Sequence, residues 1–200
     1  MKTRTKESGG FSAKAFAEFR PARAAGLTLL ELLITMSIAA ILLTLAVPSF
    51  RYVTNANRIA GEVNGLLGDL QFARSEAVKE GRYVTVCVST DGQNCNGSTA
   101  WQQGWIVFSD PTDVGVNGAG ETPLRWQKTF SSTDTFLASQ NVAAITFNRE
   151  GYAVGIANGS LLELHDSTST AAWTRCLYVN LSGEMTTELY GVTNNGVTCS

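Results

Sequence analysis

Residues 27–47, "LTLLELLITMSIAAILLTLAV", are an apolar-dominated run of 21 residues with a single carboxylate, Glu31, near its start. At about 1.5 Å of rise per residue, a helix of roughly 20 such residues crosses a hydrocarbon layer of roughly 30 Å. The run therefore reads as a membrane-spanning helix. A charge near one end of such a helix costs up to a few kcal/mol, and less if it reaches the headgroups. Position alone leaves two readings of Glu31 open: it snorkels idly, or it is there for a function.

The flanks orient the segment. Residues 1–26 carry six Lys or Arg against two Glu, a net of +4, and the remainder is net −6. Basic residues directly before a membrane helix stay in the cytoplasm, so the acidic C-terminal part is expected on the far side. The run is too long for the apolar core of a secretory signal, and no small-x-small cleavage site follows it. Two hundred residues accommodate this segment and one soluble domain.

Cys87, Cys95, Cys176 and Cys199 all fall in the exported part, an even number in a compartment where disulfides persist. Four cysteines allow three connectivities. Cys87–Cys95 with Cys176–Cys199 is favoured because each pair closes a short local loop, and loops of that size contribute about 2–4 kcal/mol each. With no Cys-x-x-Cys spacing and His165 the only histidine, no metal site is expected.

After Pro48, the residues Val53, Ala56, Ile59, Ala60, Val63, Leu66, Leu67, Leu70, Ala73 and Ala77 recur at three- and four-residue steps. That is one face of a helix over residues 48–81. Gly81 is placed to end it, and Pro48 is expected to kink it where it joins the membrane part. Arg58 and Glu62 stand four apart, the spacing of a weak surface pair. Gly61, Gly65 and Gly68 lower helix propensity by about 1 kcal/mol each, so packing must hold the segment. For Gly61 and Gly65 the reading favours close packing on the chain's own sheet over helix–helix association.

Residues 82–200 change texture. Stretches 82–89, 104–110, 123–130, 143–154, 160–166 and 175–183 alternate apolar and polar side chains and are rich in β-branched and aromatic types. Gly-, Asn- and Ser-rich loops such as "STDGQNCNGSTA" and "DPTDVGVNGAGETP" separate them. One helix followed by a run of strands predicts an α+β fold, with an antiparallel sheet packed on the long N-terminal helix.

Gly26 before "LTLLELL", Glu31 as the fifth residue after that glycine, and Pro48 at the end of the run resemble the type IV pilin and pseudopilin superfamily. The stretches "ARSEAVKEGRYVTVCVSTDGQNC", "QGWIVFSD", "ITFNREGYA" and "RCLYVNLSG" extend the resemblance over most of the chain. They are similar to the FimT/FimU-like minor pilins and to the type II secretion pseudopilin H. The resemblance implies a cytoplasmic leader over residues 1–26, cleavage by a prepilin peptidase between Gly26 and Leu27, and N-methylation of Leu27. The family more often has phenylalanine or methionine where this chain has Leu27. Glu31 would then meet the amino terminus of a neighbouring subunit inside a filament, each charge offsetting the other's desolvation.

The implied function is a minor pilin that primes type IV pilus assembly and sits at or near the tip. Its partners would be other minor and major pilins, the peptidase and the inner membrane, with no cofactor and no small-molecule substrate. The alternative is pseudopilin H in the pseudopilus tip of a type II secretion system. DNA-uptake relatives carry a Gly-Arg-x-Arg stretch, whereas this chain has "SGEMTTE" at 182–188 with Glu184 in place of an arginine. With a net −6 over the exported part as well, DNA binding is disfavoured. His165, Asp166, Ser167 and Ser169 can be picked out as catalytic types, but no Gly-x-Ser-x-Gly elbow frames them, and no enzyme is expected.

Overall fold

The computed structural model describes residues 26, 28–110, 123–156, 159–194 and 196–200. The chain divides into a first unit ending at Leu45 and a second unit, Ala46–Ser200. Helix α1 (Leu29–Glu80) contributes to both.

In the first unit every described side chain is exposed, with Leu29 at 78%. The hydroxyls of Thr35, Ser37 and Thr44 donate to the carbonyls of Leu32, Leu33 and Ile41. Turned inward in this way, they leave the helix surface apolar.

In the second unit α1 is amphipathic. Ile59, Val63, Leu66, Leu70, Ala73 and Ala77 are buried, while Val53 stays exposed and Ala56, Ala60 and Leu67 are half-buried. Gly81 follows the last helical residue with φ +67°, and its N–H and that of Arg82 both bond the Ala77 carbonyl. A side chain is strained in that backbone region, so glycine closes the helix at little cost.

The strands are β1 (Tyr83–Val88), β2 (Gly104–Asp110), β3 (Pro123–Lys128), β4 (Thr135–Ala138), β5 (Ala144–Phe147), β6 (Ala153–Val154), β7 (Ser160–His165), β8 (Arg175–Val179), β9 (Met185–Leu189), β10 (Thr193–Asn194) and β11 (Val197–Thr198). They pair antiparallel as a five-stranded sheet, β3-β2-β1-β5-β6, a four-stranded sheet, β4-β7-β8-β9, and a β10-β11 ribbon. The expected sheet is divided in two: β7 and β8 pair with each other and with β4 and β9, neither legible in the alternation, and not with the first sheet. The stretch 143–154 is a hairpin, β5 and β6, turning at Asn148–Gly151.

Both sheets close on the helix. Val84, Val86, Trp105, Val107, Ile145 and Phe147 from the first, and Phe136, Leu162, Leu164, Leu177 and Val179 from the second, form one core with the buried α1 residues. At about 1.5–3 kcal/mol per large apolar side chain, this burial supplies the main drive for folding. Strand alternation sends Cys87, Ile106 and Phe108 to the opposite face of the first sheet, and Leu161, Cys176 and Tyr178 to that of the second. A disulfide sits in each of these outer clusters: Cys87–Cys95, Cα atoms 5.6 Å apart, and Cys176–Cys199, 5.8 Å apart.

Two local readings are corrected. Gly61 and Gly65 do not pack on a sheet: both are exposed, and an added Cβ would meet nothing within 4 Å. Arg58 does not pair with Glu62 but reaches Asp134, its Nε 2.8 Å from Oδ2. Burial of Asp134 draws the guanidinium away from its helix neighbour.

Candidate filament-docking segment

The apolar segment begins with a helix cap. The N–H of Glu31 donates to Thr28 Oγ1 at 3.2 Å, and that of Leu32 to the Thr28 carbonyl at 3.1 Å. Thr28-x-x-Glu31 has the capping-box spacing, a local signal that the sequence reading passed over. Glu31 lies in the first turn, where a carboxylate is favoured by the unpaired N–H groups of the helix start. It is exposed and forms no ion pair among the described residues. Gly26 is described; Leu27 and residues 1–25 lie outside the described residues.

From Leu29 through Val47 the large apolar side chains are exposed, and this helix is long and apolar enough to cross a membrane. A surface of this kind is stable only against lipid or other apolar helices. Pro48 lies inside α1 and withholds the N–H that the Thr44 carbonyl would accept.

The catalytic types do not assemble. His165 Nδ1 is 3.2 Å from Thr174 Oγ1, while Asp166 caps a turn by accepting from the N–H groups of Thr168 and Thr170 and from the Thr168 hydroxyl. Burial pushes the Asp166 carboxyl up, but those hydrogen bonds outweigh it and hold it below the usual carboxylate range. Asp91 is held low too, by the Asn94 side chain and by the Asn94 and Gln93 N–H groups. Both carboxylates accept from the N–H groups of their own loops. Among the described residues no cluster of His, Cys, Asp and Glu could hold a metal.

Most of the described cations have partners of their own. Arg58, Lys79, Arg82, Arg125 and Arg149 are each ion-paired, with Asp134, Glu76, Glu80, Asp69 and Glu150. Arg74 donates to the Gly151 carbonyl at 2.9 Å and Arg175 to those of Ala172 and Thr174. Glu184 lies in an open cleft of about 660 Å³ with Gln71, Arg74, Ser75, Val78, Gly183 and Met185. Arg74 is the cation that lines this cleft.

The family profile described as Type II transport protein GspH matches residues 62–183, and the prokaryotic N-terminal methylation motif matches residues 21–47. Among solved structures, the Pseudomonas aeruginosa type IV minor pilin FimU in space group P21 is 22% identical, with a TM-score of 0.54 over 66% of this chain and 89% of that one. The same pilin in space group P65 is 25% identical, with a TM-score of 0.49 over 66% and 91%. No curated protein matches. The shared fold is that of a pilin, one long N-terminal helix against antiparallel sheets. The exposed apolar helix and the methylation motif fit a membrane-anchored subunit that assembles with other pilins. With the GspH profile covering more than half of its length, the chain belongs to the GspH family, within the type IV pilin and pseudopilin superfamily.

Proposed function

We propose that this protein is a minor type IV pilin, a structural subunit that primes pilus assembly and sits at or near the tip. The carrying observation is the methylation motif over residues 21–47 joined to a helical stretch, residues 29–47, whose large apolar side chains are exposed. In this reading residues 1–26 are a cytoplasmic leader, prepilin peptidase cuts between Gly26 and Leu27, and Leu27 is methylated. Residues 27–47 then anchor the subunit in the inner membrane with the second unit in the periplasm. On assembly the same residues trade lipid for neighbouring pilin helices, and Glu31 meets the amino terminus of the next subunit. Glu31 lies in the first turn and has no ion pair among the described residues, which supports this role. Pro48 loosens the helix between the packed run and the sheet-bearing part. The disulfides hold the outer faces that choose partners.

A pseudopilin of a type II secretion system is the second reading, favoured by the description of the matching family. Deletion separates the two. Loss of surface pili with secretion intact supports the first; loss of secretion with pili intact overturns it in favour of the second.

A further inference from the structure

Two buried carboxylate oxygens in the second unit have no hydrogen-bond partner, Glu62 Oε2 on α1 and Asp134 Oδ2 on the segment between β3 and β4. The two carboxyl groups face each other within hydrogen-bonding reach. Their other oxygens are taken: Glu62 Oε1 accepts from the Ser132 hydroxyl at 3.0 Å, and Asp134 Oδ1 from Arg58 Nη2 at 2.8 Å. Asp134 Oδ2 lies 2.8 Å from Arg58 Nε without accepting a hydrogen bond from it.

An ionised carboxylate only accepts, so two of them cannot satisfy one another. A single proton between the two remaining oxygens satisfies both and removes the repulsion of like charges in contact. Burial first, and then the charge of Asp134, push the Glu62 carboxyl from 4.5 up to about 7, against the Ser132 bond and the Arg58 charge. Asp134 and Arg58 are the charged groups that act on Glu62.

We infer that Glu62 donates a proton from Oε2 to Asp134 Oδ2, and that this carboxyl–carboxylate bond is a pH-operated latch between α1 and the 129–134 segment. Residues 129–134 lie outside the strand ladders, and Ser132 and Asp134 fasten them to the helix. Phe130 on the same segment sets its ring edge-on to Trp105 at 5.8 Å and stacks with Phe136 at 6.3 Å. When the proton passes to water, two anionic groups face one guanidinium. The segment then lifts from α1 and uncovers Phe130 and Trp105.

Two substitutions act on the latch in known directions. Glu62→Gln fixes the closed form, since its amide N–H donates to Asp134 and its oxygen accepts from Ser132 at every pH. Ser132→Ala removes a bond that opposes protonation, so the latch holds to higher pH although the segment has lost a contact.

The full chain in phosphatidylcholine nanodiscs is followed by hydrogen exchange and by infrared spectroscopy. Wild type and Glu62→Gln are compared at equal pH, so that intrinsic exchange rates cancel. They should agree at about pH 5, whereas at about pH 8 wild type should exchange about fivefold faster in 129–134, with β7 and β8 unchanged. The infrared spectrum of wild type should lose a protonated-carboxyl C=O band as pH rises through about 7. That band should be missing from Glu62→Gln and move to higher pH in Ser132→Ala. Equal exchange of 129–134 in the first two proteins at about pH 8 would overturn the latch. So would a wild type without the band, or a Ser132→Ala midpoint that stays or falls.

Discussion

Arg58 grips Asp134 with two nitrogens, Nη2 to Oδ1 and Nε to Oδ2, both at 2.8 Å, and leaves Glu62 to accept from the Ser132 hydroxyl at 3.0 Å. Helix α1 is thereby clasped to the segment between β3 and β4. Asp134 is buried, so the bridge is one that its removal exposes as a cost: Arg58→Ala strands a carboxylate and should destabilise by about 2–3 kcal/mol, less than a fully buried pair because the arginine is partly solvated. Chemical denaturation of the two proteins measures it.

The same clasp makes stability depend on pH. Glu62 is pushed from 4.5 up to about 7, by burial first and by the negative charge of Asp134, against the opposing Ser132 hydrogen bond and Arg58 charge. Between those values the folded chain holds a proton that the unfolded chain has lost. The contribution is therefore complete below about pH 4.5 and disappears as pH rises through about 7. Glu62→Gln should flatten this dependence and leave the variant about 1 kcal/mol more stable than wild type above neutrality, the figure being reduced for solvent screening. Melting temperatures from about pH 5 to about pH 8 test the sign.

Cys176–Cys199 encloses 23 residues of separation and ties the β10–β11 ribbon to β8. Replacing both cysteines by serine should cost about 3 kcal/mol. Hydrogen exchange in residues 191–199 should rise before that in β7 or β8. Equal protection with and without the bond would contradict the tether.

Gly183 has φ +75°, and an added Cβ would lie 2.1 Å from the Gly151 carbonyl oxygen and 2.8 Å from Arg74 Nε. Gly183→Ala should therefore displace the Arg74 bond and cost about 1–3 kcal/mol. Gly65→Ala, on the open face of α1, should instead stabilise by a few tenths to about 1 kcal/mol. A thermal-denaturation comparison of the two variants checks the contrast.

How far these features were legible depends on the range of the interaction that makes them. The core face of α1 repeats every 3.6 residues, so Ile59, Val63, Leu66 and Leu70 declare themselves locally. Strand β9 does not, because "MTTEL" offers only Met185 and Leu189 as apolar signals, and pairing with β8 organises it. Strands β10 and β11 are two residues each and depend on a disulfide and a turn. Asp134 is 76 residues from Arg58, beyond any spacing rule, so the nearer Glu62 looked like the partner. Gly61 and Gly65 suggested a close neighbour, and the structure leaves them facing outward. At the docking segment, Glu31 stood out because it interrupts an apolar run; its cap, Thr28, was equally local and went unread.

Glu31→Ala should insert in the membrane as well as wild type, since the change raises hydrophobicity. In filaments the subunit would lose the charge proposed to meet its neighbour's amine. Wild-type amounts of the variant in sheared pili would remove the docking role from Glu31.

The second unit should bind duplex DNA no better than a generic acidic protein, because Arg58, Arg82, Arg125 and Arg149 are ion-paired and Arg74 and Arg175 donate to backbone carbonyls. Gel-shift titration at low salt checks this. Glu184→Arg with Thr186→Arg should create salt-sensitive binding, and an inert double variant would mean that this turn does not correspond to the arginine-bearing turn of the DNA-uptake relatives.

In the proposed function this chain is processed at Gly26 and built into a filament through the helix that follows. Mass spectrometry of the protein recovered from sheared surface filaments tests it directly. The expected N-terminal peptide begins with N-methylated Leu27; a filament-borne chain that still begins at Met1, or a protein absent from filaments and found only unprocessed in membranes, would rule this assignment out.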